Sequence, residues 1–189
     1  MNDKLSKMSN QDLWILFPIQ LRPFDSKWLR QYERESEDIS SYVPPHIIYR
    51  LSHVGSTSIG TICAKPIIDI LLEVNSLNDL ASLKELACAH GYRLMHSSKT
   101  RLDFNKGYTE KGFADEVYHL HAVLKGDNRE LYFRDYLKFH LEVAKEYEKL
   151  KLSLAKKYEH DRDAYTNAKS TFINKYTKLA MNEYKNRYN

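Results

Sequence analysis

The chain is poor in the residues that mark secreted, membrane-bound or fibrous proteins. It carries two cysteines in 189 residues, Cys63 and Cys88. They match no metal-binding or redox spacing, which excludes a disulfide framework and fits a reducing cytoplasm. Six glycines and five prolines leave no room for a low-complexity linker, and there is no internal repeat. No apolar run reaches membrane length: the longest, around Ile67 to Leu72, is broken by Asp69. The opening residues, MNDKLSKMSNQD, lack the apolar core of a signal peptide. Two familiar phosphate motifs are also missing. Gly55 to Gly60 has the G-x-x-x-x-G spacing of a P-loop, but Thr61 and Ile62 stand where the lysine and hydroxyl residue are needed. The dinucleotide motif G-x-G-x-x-G does not occur. HLHAV falls short of a histidine triad, because Val123 takes the third histidine position.

What is present suits one globular domain spanning 1–189, with hydrophobic residues at 42% and charged residues at 29%. The net charge is +4, and most of the excess lies late: Lys138 to Asn189 holds twelve Lys/Arg against seven Asp/Glu. Such a surplus reads either as a solvated helical face or as a surface that attracts phosphate-rich ligands. With no dense basic tract and no aromatic RNA-binding motif, nucleic acid is a minor option.

The pattern predicts a loose N-terminus to about Asn10 and a short strand at Ile19–Phe24. A helix capped by Asp25 or Ser26 runs to Tyr42, where Pro44 and Pro45 stop it. Strands follow at Ile47–Val54 and Pro66–Val74, a helix at Asn78–His90 ending at Gly91, and strands at Tyr92–Met95, Arg101–Lys106 and Val117–Leu124. Residues 128–189 read as helical. Val143, Tyr147, Leu150, Leu154 and Tyr158 form one stripe at helical spacing, and Tyr165, Phe172, Tyr176 and Leu179 a second, both read as core. The class is α+β, a mixed sheet covered by helices.

Alternation divides the strand after Pro66 into two faces. Ile68, Ile70, Leu72 and Val74 are all apolar; Ile67, Asp69, Leu71 and Glu73 share the other face. A carboxylate at position 69 of a core strand is costly unless it is hydrogen-bonded, paired or metal-bound. Asp69 therefore either accepts N–H bonds from the nearby Gly-Ser turn or binds a metal ion or substrate. In VYHLHAVL, His119 and His121 share a face, and residues two apart on a strand are about 6.6 Å apart. That spacing allows two imidazoles to meet one metal ion or phosphate, or to be ordinary half-buried residues.

These segments together resemble the GrpB family, which is similar in turn to the nucleotidyltransferase superfamily, the fold of DNA polymerase beta and kanamycin nucleotidyltransferase. The matching pieces are HVGSTSIG at His53–Gly60, AKPIIDIL at Ala64–Leu71, NKG at Asn105–Gly107, YHLHAV at Tyr118–Val123, LYFRDYLKFH at Leu131–His140 and DRDAYTNAKSTFI at Asp161–Ile173. The resemblance implies a mixed sheet of nucleotidyltransferase type. It implies a Gly-Ser pair, Gly55 and Ser56 here, that holds nucleotide phosphate at a helix start. It also implies two metal-binding carboxylates two residues apart on the next strand. The first matches Asp69; the second falls on Leu71. Glu73 shares the face, but four strand residues span about 13 Å, whereas paired ions in phosphoryl transfer sit roughly 3.5–4 Å apart. The third carboxylate of the superfamily lies on a later strand, where His119 and His121 are expected. Imidazoles suit Zn²⁺ or Mn²⁺ better than Mg²⁺. Relatives fused to dephospho-coenzyme A kinase add an association with nucleotides.

The expected ligand is thus a nucleotide or another phosphate-bearing small molecule with a divalent metal (Mg²⁺, Mn²⁺ or Zn²⁺). Asp69, His119 and His121 are expected to act as metal ligands or catalytic groups. Lys65, Lys106, Arg134 and Lys169 are candidate phosphate contacts beside Gly55 and Ser56. Asp103 ranks below these because its strand reads as exposed. Three functions compete: a nucleotidyl- or phosphoryl-transferring enzyme, an inactive ligand-binding module that lost a carboxylate at position 71, and an accessory protein whose basic helices dock a partner.

Overall fold

The computed structural model describes residues 4–188. A five-stranded mixed sheet runs in the order β1-β2-β5-β4-β3, built from β1 (Ile48–Val54), β2 (Ile68–Val74), β3 (Arg93–Ser97), β4 (Arg101–Thr109) and β5 (Gly112–Leu124). Only β2 and β5 run parallel; the other neighbours are antiparallel. The chain passes from β2 to β5 through a helix and the β3–β4 hairpin, the long crossover a parallel pair needs. The parallel pair sets Asp69 beside His119 and Leu71 beside His121.

The alternation of β2 sorts the core as expected. Ile68, Ile70, Leu72 and Val74 pack with Phe104, Tyr118 and Leu120 under α2 (Lys27–Tyr42) and α3 (Leu77–Ala89). Trp28 and Ile39 supply the buried stripe of α2, and Leu80, Leu83 and Ala87 that of α3. The Ser76 hydroxyl accepts the Asp79 N–H at the start of α3, and Gly91, at φ +86°, ends it. Asp25, not Ser26, caps α2 with its side chain, accepting the Lys27 N–H at 2.9 Å.

The opposite face carries Asp69, Leu71 and Glu73. It is covered by α4 (Arg129–Phe139), α5 (Leu141–Lys157) and α6 (Arg162–Glu183). Leu131 of α4 packs on Val54, Leu71 and Val123. Tyrosines dominate where the three helices meet: Tyr132, Tyr136, Tyr147 and Tyr176 share one buried cluster. Leu179, expected in the core stripe, is exposed.

Two expectations change near the N-terminus and one further along the chain. Residues 1–3 of the stretch expected to be loose lie outside the described residues. Lys4–Lys7 forms a 3₁₀ turn that buries Leu5, and α1 (Asn10–Leu16) follows with Ser9 as its cap. The strand expected at Ile19–Phe24 is a single bridge between Arg22 and Ala64; Pro18 and Pro23 remove the N–H donors a ladder would need. β5 starts five residues earlier than expected and forms a long hairpin with β4. No described helix is long and apolar enough to cross a membrane.

Candidate functional site

β1 ends at Val54 and the chain turns through Gly55 into the 3₁₀ helix Ser56–Ser58. Gly55 has φ +69°, and a Cβ built there would lie 2.1 Å from Asp69 Oδ2. Only glycine combines that backbone with so close an approach of the carboxylate. The turn and the acid are thus in contact.

Asp69 meets both histidines of β5. His119 Nδ1 lies 3.0 Å from Asp69 Oδ1 and His121 Nε2 3.6 Å from the same oxygen. The Tyr108 hydroxyl, at 2.8 Å, and the Arg162 guanidinium, at 3.4 Å, both approach His119 Nε2. Arginine can only donate, so Nε2 is the acceptor and the His119 proton sits on Nδ1, facing Asp69. His121 Nδ1 donates to Asp103 at 2.6 Å. Asp103 in turn accepts from Arg101 at 2.8 Å, and Arg101 also donates to Glu130 at 2.7 Å.

These contacts set the charges. Burial would raise Asp69, but hydrogen bonds from His119 and His121 outweigh it and hold the carboxyl well below its ordinary range. Burial would lower His121, but Asp103 and Asp69 raise it to about 9. His119 goes the other way: burial lowers it, with Arg162 and His121 adding to the effect despite Asp69. At neutral pH the cluster holds an ionised Asp69, a charged His121 and a neutral His119.

Beside it opens a cavity of 270 Å³ lined by Gly55, Ser56, Asp69 and His119, and by four cations: Lys65, Lys151, Arg162 and Lys169. Asp69 is the only carboxylate among the lining residues. Burial and mutual repulsion lower Lys65 to about 7, Lys151 to about 7 and Lys169 to about 8. Tyrosine faces hold them in place: Lys169 Nζ is 4.1 Å and Lys65 Nζ 5.6 Å from the Tyr165 ring centre, and Lys151 Nζ is 5.0 Å from that of Tyr147. The tyrosines expected as plain core, Tyr147 and Tyr165, therefore also wall this cavity.

The structure thus brings together Gly55, Ser56, Lys65, Asp69, His119 and Lys169, with His121 bonded behind them. It separates Lys106 and Arg134. Lys106 lies on the opposite side of β4, where it donates to Glu35 at 2.8 Å and sits over Tyr92. Arg134 is bound to Asp135 at 2.7 Å and to the His53 carbonyl at 2.9 Å, and does not line the cavity. Asp103, ranked low as exposed, is half-buried against His121. Sequence reasoning passed over Tyr108, Lys151 and Arg162. Arg162 stands in the quoted DRDAY segment, but nothing local aims it at His119 of β5, 43 residues away.

Asp69, His119 and His121 each offer one ligand atom within 4.8 Å of one another. Once His121 gives up a proton, one carboxylate oxygen and two imidazole nitrogens suit a single Zn²⁺ or Mn²⁺ better than Mg²⁺. Asp103 on the far nitrogen of His121 is the carboxylate–histidine support that metal ligands commonly have. A second ion finds no ligand on β2: Leu71 is fully buried among Val54, Val123 and Leu131. The Glu73 carboxylate, also fully buried, is held by Arg50 at 3.0 Å and the Gly126 N–H at 3.1 Å.

A mixed sheet with a Gly-Ser turn packed on a strand aspartate is the core of a nucleotidyltransferase fold. The chain is similar in fold to a structure of the GLD-2/RNP-8 complex, with a TM-score of 0.52, 14% identity, and coverage of 88% of this chain and 68% of that one. It belongs to the GrpB family, whose sequence model, described as GrpB protein, matches residues 18–179. The crystal structure of the conserved protein GrpB from Enterococcus faecalis superposes with a TM-score of 0.76 at 27% identity, over 87% of this chain and 99% of that one. Glutamate-rich protein GrpB of Alkalihalophilus pseudofirmus is 36% identical over 154 residues, covering 77% of this chain and 86% of the relative. UPF0157 protein YqkA of Bacillus subtilis is 34% identical over 132 residues, which are 68% of this chain but only 37% of that longer protein.

Proposed function

We propose that the protein is a metal-dependent phosphoryl- or nucleotidyl-transferase acting on a phosphate-bearing small molecule, a nucleotide by preference, in the cytoplasm. The observation that carries the reading is the 270 Å³ cavity, in which four cations and the Ser56 turn face one carboxylate–imidazole cluster. Burial, with repulsion among neighbouring cations, holds Lys65, Lys151 and Lys169 near 7 to 8, against tyrosine faces. A polyanion relieves their repulsion and is drawn in. Arg162 reaches both the cavity and His119, so it spans the bound phosphate and the reacting side. An ion held by Asp69, His119 and His121 would supply polarisation of a phosphate oxygen. The chain's own contribution is to orient that phosphate with the lysines, to hold His121 through Asp103, and to keep His119 neutral.

Calorimetry with ATP, CTP, GTP and UTP, each with Mg²⁺, Mn²⁺ or Zn²⁺, tests this directly, together with an assay for pyrophosphate or phosphate release. The expected result is binding that weakens about tenfold or more in Lys169→Gln and turnover that disappears in Asp69→Asn. No heat and no product in any combination would remove the proposal. A second reading is favoured by one observation, the apolar cluster around Leu71 where a second metal-binding carboxylate would stand. In that reading the cavity binds the nucleotide without transferring anything, and the same experiment returns binding without turnover.

A further inference from the structure

A second cavity, of 810 Å³, lies on the other side of His119 and Arg162. The two cavities share those residues and Thr166, but differ in kind. In the smaller one cations prevail. In the larger one Arg93, Arg162 and the charged His121 face Asp103 and Asp163, so its charge is close to balanced. Its remaining surface mixes polar groups with apolar and aromatic ones, Trp14 and Phe17 at its α1 end and Met95 on β3. Phe17 packs on Tyr108 with ring centres 4.8 Å apart, and Phe113 completes the corner at 5.0 Å from Phe17. The amides of Asn105 and Asn167 supply polar groups without charge. The wall is anchored: the Ile19 N–H donates to the Glu159 carbonyl at 2.9 Å, tying the segment after α1 to the α5–α6 loop. A volume of this size is in the usual range for small-molecule sites, about 300–1,000 Å³.

We propose that this cavity takes a second, uncharged ligand built on an aromatic ring with hydroxyl groups, of the nucleoside class. Its ring lies toward Trp14 and Phe17, and a hydroxyl faces the floor made by His119 and His121. Near-balanced charge and aromatic walls favour a neutral ligand over a second polyanion, which the lysine cavity takes instead. That this ligand is the acceptor of the transferred group rests on the function proposed above; that a ring binds here does not.

The chain has two tryptophans, Trp14 at this cavity and Trp28 buried in the core under the other sheet face. Ligand in the cavity therefore reports through Trp14. Titration of the full chain with adenosine or uridine to about 1 mM should quench tryptophan emission saturably, while ribose, which lacks the ring, should not. Trp14→Phe should erase the signal. Asn167→Phe, on an exposed turn of α6, should narrow the cavity and weaken adenosine about tenfold while leaving pyrophosphate binding, read by calorimetry, intact. Lys169→Gln should do the reverse. Unchanged Trp14 emission with either nucleoside, with or without pyrophosphate present, would overturn the proposal. So would adenosine binding lost in Lys169→Gln and kept in Asn167→Phe. Adenosine binding with no pyrophosphate binding would uphold this site and remove the reading of the lysine cavity.

Discussion

Two acidic residues on one face of β2, Asp69 and Glu73, show how differently one strand treats its two ends. Asp69 lies at the open end, next to a cation-lined cavity, with two imidazoles on one oxygen and a charge held firmly. Glu73 lies at the closed end, fully buried, its carboxyl raised by burial and its oxygens taken up by Arg50 and Gly126. Leu71, between them, marks the boundary: beyond it the face is dry, packed by Leu131 and Val123. An acid at the open end has water, cations and room to exchange partners. At the closed end it can only hold the fold together. The sign of the residue therefore says little about its task; access to the cavity decides.

The largest test of this contrast is to put charge into the dry half. Leu71→Asp restores a carboxylate spacing suited to two ions but buries it among aliphatic groups, and should cost more than about 3 kcal/mol of stability in chemical denaturation. A variant as stable as the parent that turned over substrate with Mg²⁺ would show that the apolar boundary is not what bars a second ion. Next comes Glu73→Gln, which leaves Arg50 without its charged partner. It should destabilise by about 1–3 kcal/mol without altering sulfate or nucleotide binding; any loss of binding would join the two ends into one site.

The smallest effect belongs to the open end. Lys65, Lys151 and Lys169 are held near 7 to 8, so they lose charge as pH rises through that range. Sulfate keeps its charge there, and its affinity should fall several-fold between about pH 6 and pH 9, with proton uptake on binding near pH 8. Without anion the sign for stability is opposite. Between pH 7 and about 10 the unfolded chain binds protons on these lysines that the folded chain has released, so stability rises with pH. A flat sulfate affinity over that range would mean the lysines do not bind the anion.

Much of the sheet was legible because burial imposes period two on β2 and β5. The same alternation put His119 and His121 on one side and Asp69 with Leu71 and Glu73. It did not say that β2 and β5 are parallel neighbours, and that register is what places Asp69 beside His119. In β4 the alternating polar residues Arg101, Asp103 and Asn105 read as a solvent face, yet Asp103 and Asn105 line a cavity and Arg101 holds Asp103. A polar strand face looks the same in sequence whether it meets bulk water or a wet cavity. The same parity assigns Lys106 to the other side, a signal available in the sequence. Lys151 and Arg162 come from helices whose docking is set by tyrosine packing across the whole chain, and no local pattern carries that information.

The bare Cα at position 55 has a consequence for how this protein can vary. Because Asp69 Oδ2 occupies the space a methyl group would need, the Gly-Ser turn and the strand acid are not independent parts. A lineage that shed the acid would gain space at 55 but would still meet a backbone, at φ +69°, that disfavours a side chain. One that altered 55 first would have to surrender the acid. Loss of the glycine is expected to take the acid with it, whereas loss of the acid can leave the glycine behind.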